Sequence, residues 1–408
     1  VGLGPRSVAL GDFDRDGDAD LAVANQLSDT VSVLVNQGDG TFAAHVQYAV
    51  GLGPRSVALG DFDRDGDVDL AVANSGSNSV WVLLSQGDGT FAAHVQYGVG
   101  NSPLSVAQGD LDRDGDVDLA VANYSSNTVS VLLNLGHATF AAHVQYGVGD
   151  TPSSVALRDL DGDGDADLAV ANSTTDTVSV LPNQGDGRFA AHVEYGVGNQ
   201  NLPAFVALGN LDGDGDADLA VANFGSNTVS ILLNQGDGTL AADVEYGVGF
   251  SPIFVALGDL DVDGDADLAV ANDRSNTVSV LLNQGDGTFP AHVEHRVGGA
   301  PSSVALGDLD GDGRADLAVT NGGSSTVSVL LNEGDGTFAA HVEYDVGNTP
   351  SFVALGDLDD DGDVDLAVAN YYGNTVSVLL NEGDGTFAAD VEYAEGNGPS
   401  SVALGDLD

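Results

Sequence analysis

The chain has no cysteine, no methionine and no lysine, and only one tryptophan. Without cysteine there are neither disulfides nor thiolate metal sites, so stability must come from packing and from any oxygen-bound ion. Positive charge is also scarce: ten arginines face 63 aspartates and glutamates, giving a formal charge of −53. Such a surface repels nucleic acid and anionic membranes and favours a monomer. Apolar runs stay far below the roughly 20 residues that a membrane-crossing helix needs, so no membrane insertion is expected. Lacking an initiator methionine and a signal peptide, the sequence reads as a mature or excised segment whose export signal, if any, lies outside it.

A chain this acidic is often disordered. Here the acids are clustered at a fixed spacing between strand-like segments, which points to a neutralising cation. The segment Ser7-Val8-Ala9-Leu10-Gly11-Asp12 returns, with changes, at residues 56, 105, 154, 205, 254, 303, 352 and 401. This divides the chain into eight repeats of about 49 residues beginning at Val1, Val50, Val99, Val148, Val197, Val248, Val297 and Val346, followed by a partial ninth repeat over 395–408. Within the first repeat, Ser7–Gly11, Leu21–Ala24, Val31–Leu34 and Ala44–Tyr48 read as short strands separated by Gly, Asn and Asp. In the second strand Leu and Val point one way and Ala the other, as suits a sheet covered on both faces. Four strands per repeat and no helix signal predict an all-β, eight-bladed β-propeller, each blade a four-stranded antiparallel meander. The tail could be surplus, could replace the N-terminal strand in closing the ring, or could begin a truncated blade.

Between the first two strands lies Asp12-Phe13-Asp14-Arg15-Asp16-Gly17-Asp18-Ala19-Asp20-Leu21, a D-x-D-x-D-G-x-x-D-L pattern. Alternating carboxylates let a tight loop wrap one hard cation. The glycine permits the turn, the seventh residue offers its backbone carbonyl, and the ninth closes the shell. The candidate ligand positions are Asp12, Asp14, Asp16, Asp18 and Asp20; Asp61, Asp63, Asp65, Asp67 and Asp69; Asp110, Asp112, Asp114, Asp116 and Asp118; and Asp159, Asp161, Asp163, Asp165 and Asp167. The later repeats supply Asn210, Asp212, Asp214, Asp216 and Asp218; Asp259, Asp261, Asp263, Asp265 and Asp267; Asp308, Asp310, Asp312, Arg314 and Asp316; and Asp357, Asp359, Asp361, Asp363 and Asp365. Asn210 keeps an oxygen but drops a charge, which predicts a weaker fifth site. Arg314 is tolerable if only the seventh carbonyl binds. Asp and Gly also favour plain hairpin turns, but a turn would not require carboxylates at set positions while the intervening residues vary from Arg to Gly to Val. About eight Ca²⁺ ions are therefore expected, with Mg²⁺ less suited because of its stricter octahedral geometry.

The run Gly-Asp-Phe/Leu-Asp-x-Asp-Gly-x-x-Asp-Leu-Ala-Val-Ala-Asn, followed by Val-Ser-Val-Leu-Leu-Asn-x-Gly-Asp-Gly-Thr-Phe, resembles the FG-GAP or VCBS repeat propellers, which include integrin α-subunit heads and some fungal and bacterial lectins. The resemblance spans essentially the whole chain. It implies calcium in the Asp loops and a secreted, cell-surface or matrix setting, without implying one ligand. The near identity of the repeats points to a bacterial array, recently amplified or designed.

In such a meander the Asp loops and the Gly-Asp-Gly-Thr-Phe turns share one face of the ring. The opposite face carries the residues that differ between repeats: Gln26-Leu27-Ser28-Asp29, Tyr124-Ser125-Ser126, Phe224-Gly225-Ser226, Tyr371-Tyr372-Gly373 and the link Asn199-Gln200-Asn201-Leu202. Aromatics beside hydroxyls and amides can hold a sugar, so an adhesion or binding module for a protein or glycan is expected there, with a rigid spacer or an engineered repeat scaffold as the alternative. His45, His94, His143, His192, His292 and His341 recur in the fourth strand and are read as exposed edge residues, and Trp81 as packing. No nucleophile, base or cofactor motif accompanies the carboxylates, so no enzyme is expected.

Overall fold

A computed structural model describes residues 5–198, 202–394 and 402–403. Its regular elements among those residues are all strands, arranged in eight sheets, one per repeat, each built on four antiparallel strands. In the first blade the strands are Pro5–Gly11, Asp20–Asn25, Thr30–Leu34 and Val46–Ala49, hydrogen-bonded in chain order. First strands of successive blades lie against one another, placing them around the channel, and the fourth strands form the exposed outer rim. Every inner strand begins with proline and is irregular there, which an edge strand tolerates because the missing N–H would have no ladder partner.

The second strand is buried throughout in every blade. Its alternation works as the sequence predicts. Leu21 and Val23 pack on Ala367 and Ala369 of blade 8, while Ala22 and Ala24 receive Leu70 and Val72 of blade 2. Large side chains thus seat on small ones at each junction, each fully buried Leu or Val contributing roughly 1.5–3 kcal/mol. Polar staples repeat the same step. Asn134 Nδ2 donates to Phe62 O of the preceding blade at 2.8 Å, and Asn36 Nδ2 donates to Leu358 O at 3.1 Å, closing the ring between blades 8 and 1. Phe42 and Tyr393 meet edge to face across that same seam, 5.2 Å between centroids.

Val402–Ala403 pairs in parallel with Val8–Ala9, adding a fifth strand to the inner edge of blade 1. The tail's copy of the inner strand therefore lies beside the N-terminal copy and does not replace it. The rest of 395–408, like Asn199, Gln200 and Asn201, lies outside the described residues. One expectation needs correction: the fourth strand starts at Val46, so His45 and its equivalents precede it. They are mostly half-buried, not exposed edge residues. His143 Nδ1 lies 3.0 Å from Ser130 Oγ, and His94 stacks on Trp81 at 3.7 Å, which makes that tryptophan a packing residue.

Candidate metal centre

Each Asp loop is a turn folded on its own carboxylates. Asp12 Oδ1 accepts from Arg15 N at 2.6 Å, and its Oδ2 accepts from Gly17 N at 3.1 Å. Gly17 sits at φ 98°, a conformation open to glycine at no steric cost. The first, third and ninth residues converge: in the groups Asp12, Asp14, Asp20; Asp61, Asp63, Asp69; Asp110, Asp112, Asp118; and Asp159, Asp161, Asp167, one oxygen of each lies within 4.8 Å of the others. In blade 6 the group that meets this way is Asp259, Asp261 and Asp263.

The ninth aspartate is fully buried and holds the loop to the blade. Asp20 Oδ2 accepts from Phe13 N at 2.8 Å and Oδ1 from Asn36 N at 2.7 Å. The same pair of bonds recurs at Asp69, Asp118, Asp167, Asp218, Asp267, Asp316 and Asp365. A carboxylate oxygen keeps a second lone pair, so these bonds do not exclude a cation. Burial pushes Asp20, Asp69 and Asp118 up to about 7, and the other five up to about 6, against the two amide bonds that pull them down. The third aspartate is raised as well in every blade, first by burial and also by the carboxylate two residues on.

These residues fit a hard cation. Asp14 Oδ1, Asp261 Oδ1 and Asp359 Oδ1 are shielded from solvent and have no hydrogen-bond partner, an arrangement that costs energy unless positive charge is supplied. The donors are all oxygen, as Ca²⁺ prefers. In blades 2 to 4 the seventh-position side chain is engaged elsewhere, leaving that residue its carbonyl to offer. Asp67, Asp116 and Asp165 ion-pair with Arg15, Arg64 and Arg113 of the preceding blade. Arg314 Nη1 lies 3.0 Å from Asp312 Oδ2, so at blade 7 the arginine engages a candidate ligand instead of standing clear of it. Asn210 Oδ1 accepts from Gly213 N at 2.9 Å and keeps the first-position turn without the charge.

The Gly-Asp-Gly-Thr-Phe turns do share this face, since Gly89 N donates to Phe13 O of the preceding Asp loop at 2.9 Å. A Cβ on Gly238 would lie 2.9 Å from Asp161 Cβ, which explains glycine there as a close-approach residue. Sequence reasoning passed over the fourth loop position as filler, yet Arg15, Arg64 and Arg113 make these contacts between loops.

The FG-GAP-like repeat model matches eight times, over 12–72, 61–121, 110–170, 159–221, 210–270, 259–319, 309–368 and 357–408. The chain belongs to the FG-GAP-like repeat family. Comparison with curated proteins finds no match. Among solved structures, this FG-GAP chain is similar to an Agrocybe aegerita lectin described as recognising non-reducing terminal N-acetylglucosamine, at 20% identity and TM-score 0.51, over 83% of this chain and 93% of that one. A Desulfotomaculum acetoxidans protein of unknown function has 14% identity and TM-score 0.56, over 82% and 99%. A Staphylococcus aureus virginiamycin B lyase has 12% identity and TM-score 0.50, over 78% and 91%. At these identities the likeness concerns the fold alone.

Proposed function

We propose that this chain is a calcium-rigidified, non-enzymatic binding module that works outside the cell and takes a neutral glycan on the face opposite the Asp loops. The observation that carries the reading is a cleft of about 430 Å³ on that face, spanning blades 6 to 8. Gly322 and Gly323 line it, Gly322 standing where every other blade carries a side chain, and Tyr371, Asp273, Ser302 and Ser351 line it too. An aromatic ring offers a sugar its apolar face, while carboxylate and hydroxyl oxygens accept from its hydroxyls. Ser302 Oγ lies 2.9 Å from Pro350 O and Ser351 Oγ donates to Ala369 O at 3.2 Å, and a hydroxyl that donates in this way keeps lone pairs with which to accept. A net charge of −53 disfavours anionic sugars. The lectin likeness supports the scaffold for such a role, not the sugar.

On a glycan array in calcium buffer, saturable binding to uncharged sugars is expected, with Tyr371→Ala weakening it by roughly tenfold or more, the worth of one stacked ring. Binding that Y371A leaves unchanged would place the site elsewhere. No binding to any glycan would favour the rigid-spacer role.

A further inference from the structure

The fourth loop position differs in kind from blade to blade: Arg15, Arg64 and Arg113 in the first three, then Gly162, Gly213, Val262, Gly311 and Asp360. In every blade this residue has positive φ, from 61° to 75°. Glycine meets that requirement without strain, whereas a side chain there costs roughly 1–2 kcal/mol. Val262 and Asp360 bear that cost as well, but the three arginines offset it with a contact that is the same each time. The guanidinium crosses to the next blade, ion-pairs through Nε with the seventh-position aspartate, and donates through Nη2 to the fifth-position carbonyl. Arg64 does this to Asp116 at 2.6 Å and to Asp114 O at 2.7 Å; Arg15 and Arg113 do it to Asp67 and Asp65 O, and to Asp165 and Asp163 O. Asp67, Asp116 and Asp165 are buried, while Asp18, Asp216, Asp265 and Asp363 are only half-buried.

We propose that the fourth loop residue is a positioning residue for the cation loop of the following blade. Arg15, Arg64 and Arg113 hold loops 2, 3 and 4 in their cation-binding shape before any cation arrives, so those loops stay ordered when calcium is withdrawn. Loops 5 to 8 have no such arginine before them and depend on the ion for their order. Loop 1 depends on it most, because Asp360 brings a carboxylate to Asp18 where the first three junctions bring a guanidinium and the next four bring no charge. The planar fork of arginine suits this task, since one side chain satisfies a carboxylate and a carbonyl together. The inference builds on the calcium reading, but the clamp itself belongs to the cation-free protein.

Hydrogen exchange read by mass spectrometry on the whole chain tests it, in EDTA and in calcium. In EDTA, loops 2 to 4 should exchange more slowly than loops 6, 8 and 1. Arg64→Ala should speed exchange across Asp110–Asp118 by roughly tenfold, the scale of a lost charge-assisted hydrogen bond, while the blade 6 loop stays unchanged as an internal control for folding. Gly213→Arg should carry the effect to a new junction and slow exchange across Asp259–Asp267 by a similar factor. The site accepts a side chain, because a Cβ at Gly213 meets nothing nearer than Gly285 O at 3.6 Å. If R64A and G213R both leave the following loop unchanged in EDTA, the proposal is wrong. Should wild-type exchange be identical in calcium and EDTA, the calcium reading falls, and the two variants in EDTA still decide the clamp.

Discussion

Chelated protein is expected to melt on the order of 20 °C below calcium-loaded protein, with the gap widening as pH rises. Each site that binds only the folded chain adds about 2.7 kcal/mol at a hundredfold excess over its Kd, and eight such sites acting on one ring produce a shift of that order. The pH dependence follows from the ninth aspartates, raised to about 6 or 7 by burial. A carboxyl group whose folded value is raised binds its proton more tightly in the folded chain than in the unfolded one. The cation-free fold is thus favoured at low pH and loses stability as pH climbs from about 4 to about 7. Calcium has to displace those protons, so its own stabilisation grows over the same window. In EDTA the melting temperature should fall between about pH 4 and pH 7, and in calcium it should not. Parallel profiles in the two buffers would contradict the account.

Asp267→Ala should be the most damaging single loop substitution in its blade, and damaging even in EDTA. Its two oxygens accept from Leu260 N and Asn283 N, each at 2.7 Å, at a fully buried position. Truncation strands two buried N–H groups, at about 1–3 kcal/mol each. A loss of roughly 2–5 kcal/mol is expected by denaturant titration. The exposed Asp263→Ala, by contrast, should be neutral or mildly stabilising in EDTA, because it removes one of several crowded like charges, and should lose stability only in calcium. Equal effects of D267A and D263A in EDTA would mean that the ninth aspartate has no structural role apart from the ion.

That double role shows what the sequence could and could not disclose. The repeat spacing, the alternation of Leu21 and Val23 against Ala22 and Ala24, and the glycine-aspartate turns are local signals, and they were enough for the eight-bladed ring. The D-x-D-x-D-G-x-x-D spacing singled out the residues that converge. It did not reveal that Asp20 caps Asn36 N sixteen residues away, because that bond depends on the third strand returning past the loop. Nor did it reveal Arg15 on Asp67: the two lie in different repeats and meet only when blade packs on blade. Position four looked free to vary because its partner is not in its own repeat. The fourth-strand histidines were misplaced for a related reason, since strand starts are set by pairing, here Val33 with Val46, and not by the residues' own β preference.

The most direct measurement is native mass spectrometry of the whole chain, purified through EDTA and then titrated with calcium, with magnesium as a competitor. The account predicts successive binding up to about eight calcium ions per chain, the fifth and seventh sites filling last because of Asn210 and Arg314, and little displacement by equimolar magnesium. A chain that stays metal-free at calcium concentrations where the ring is intact would contradict it, and the Asp loops would then be turns held by their own backbone.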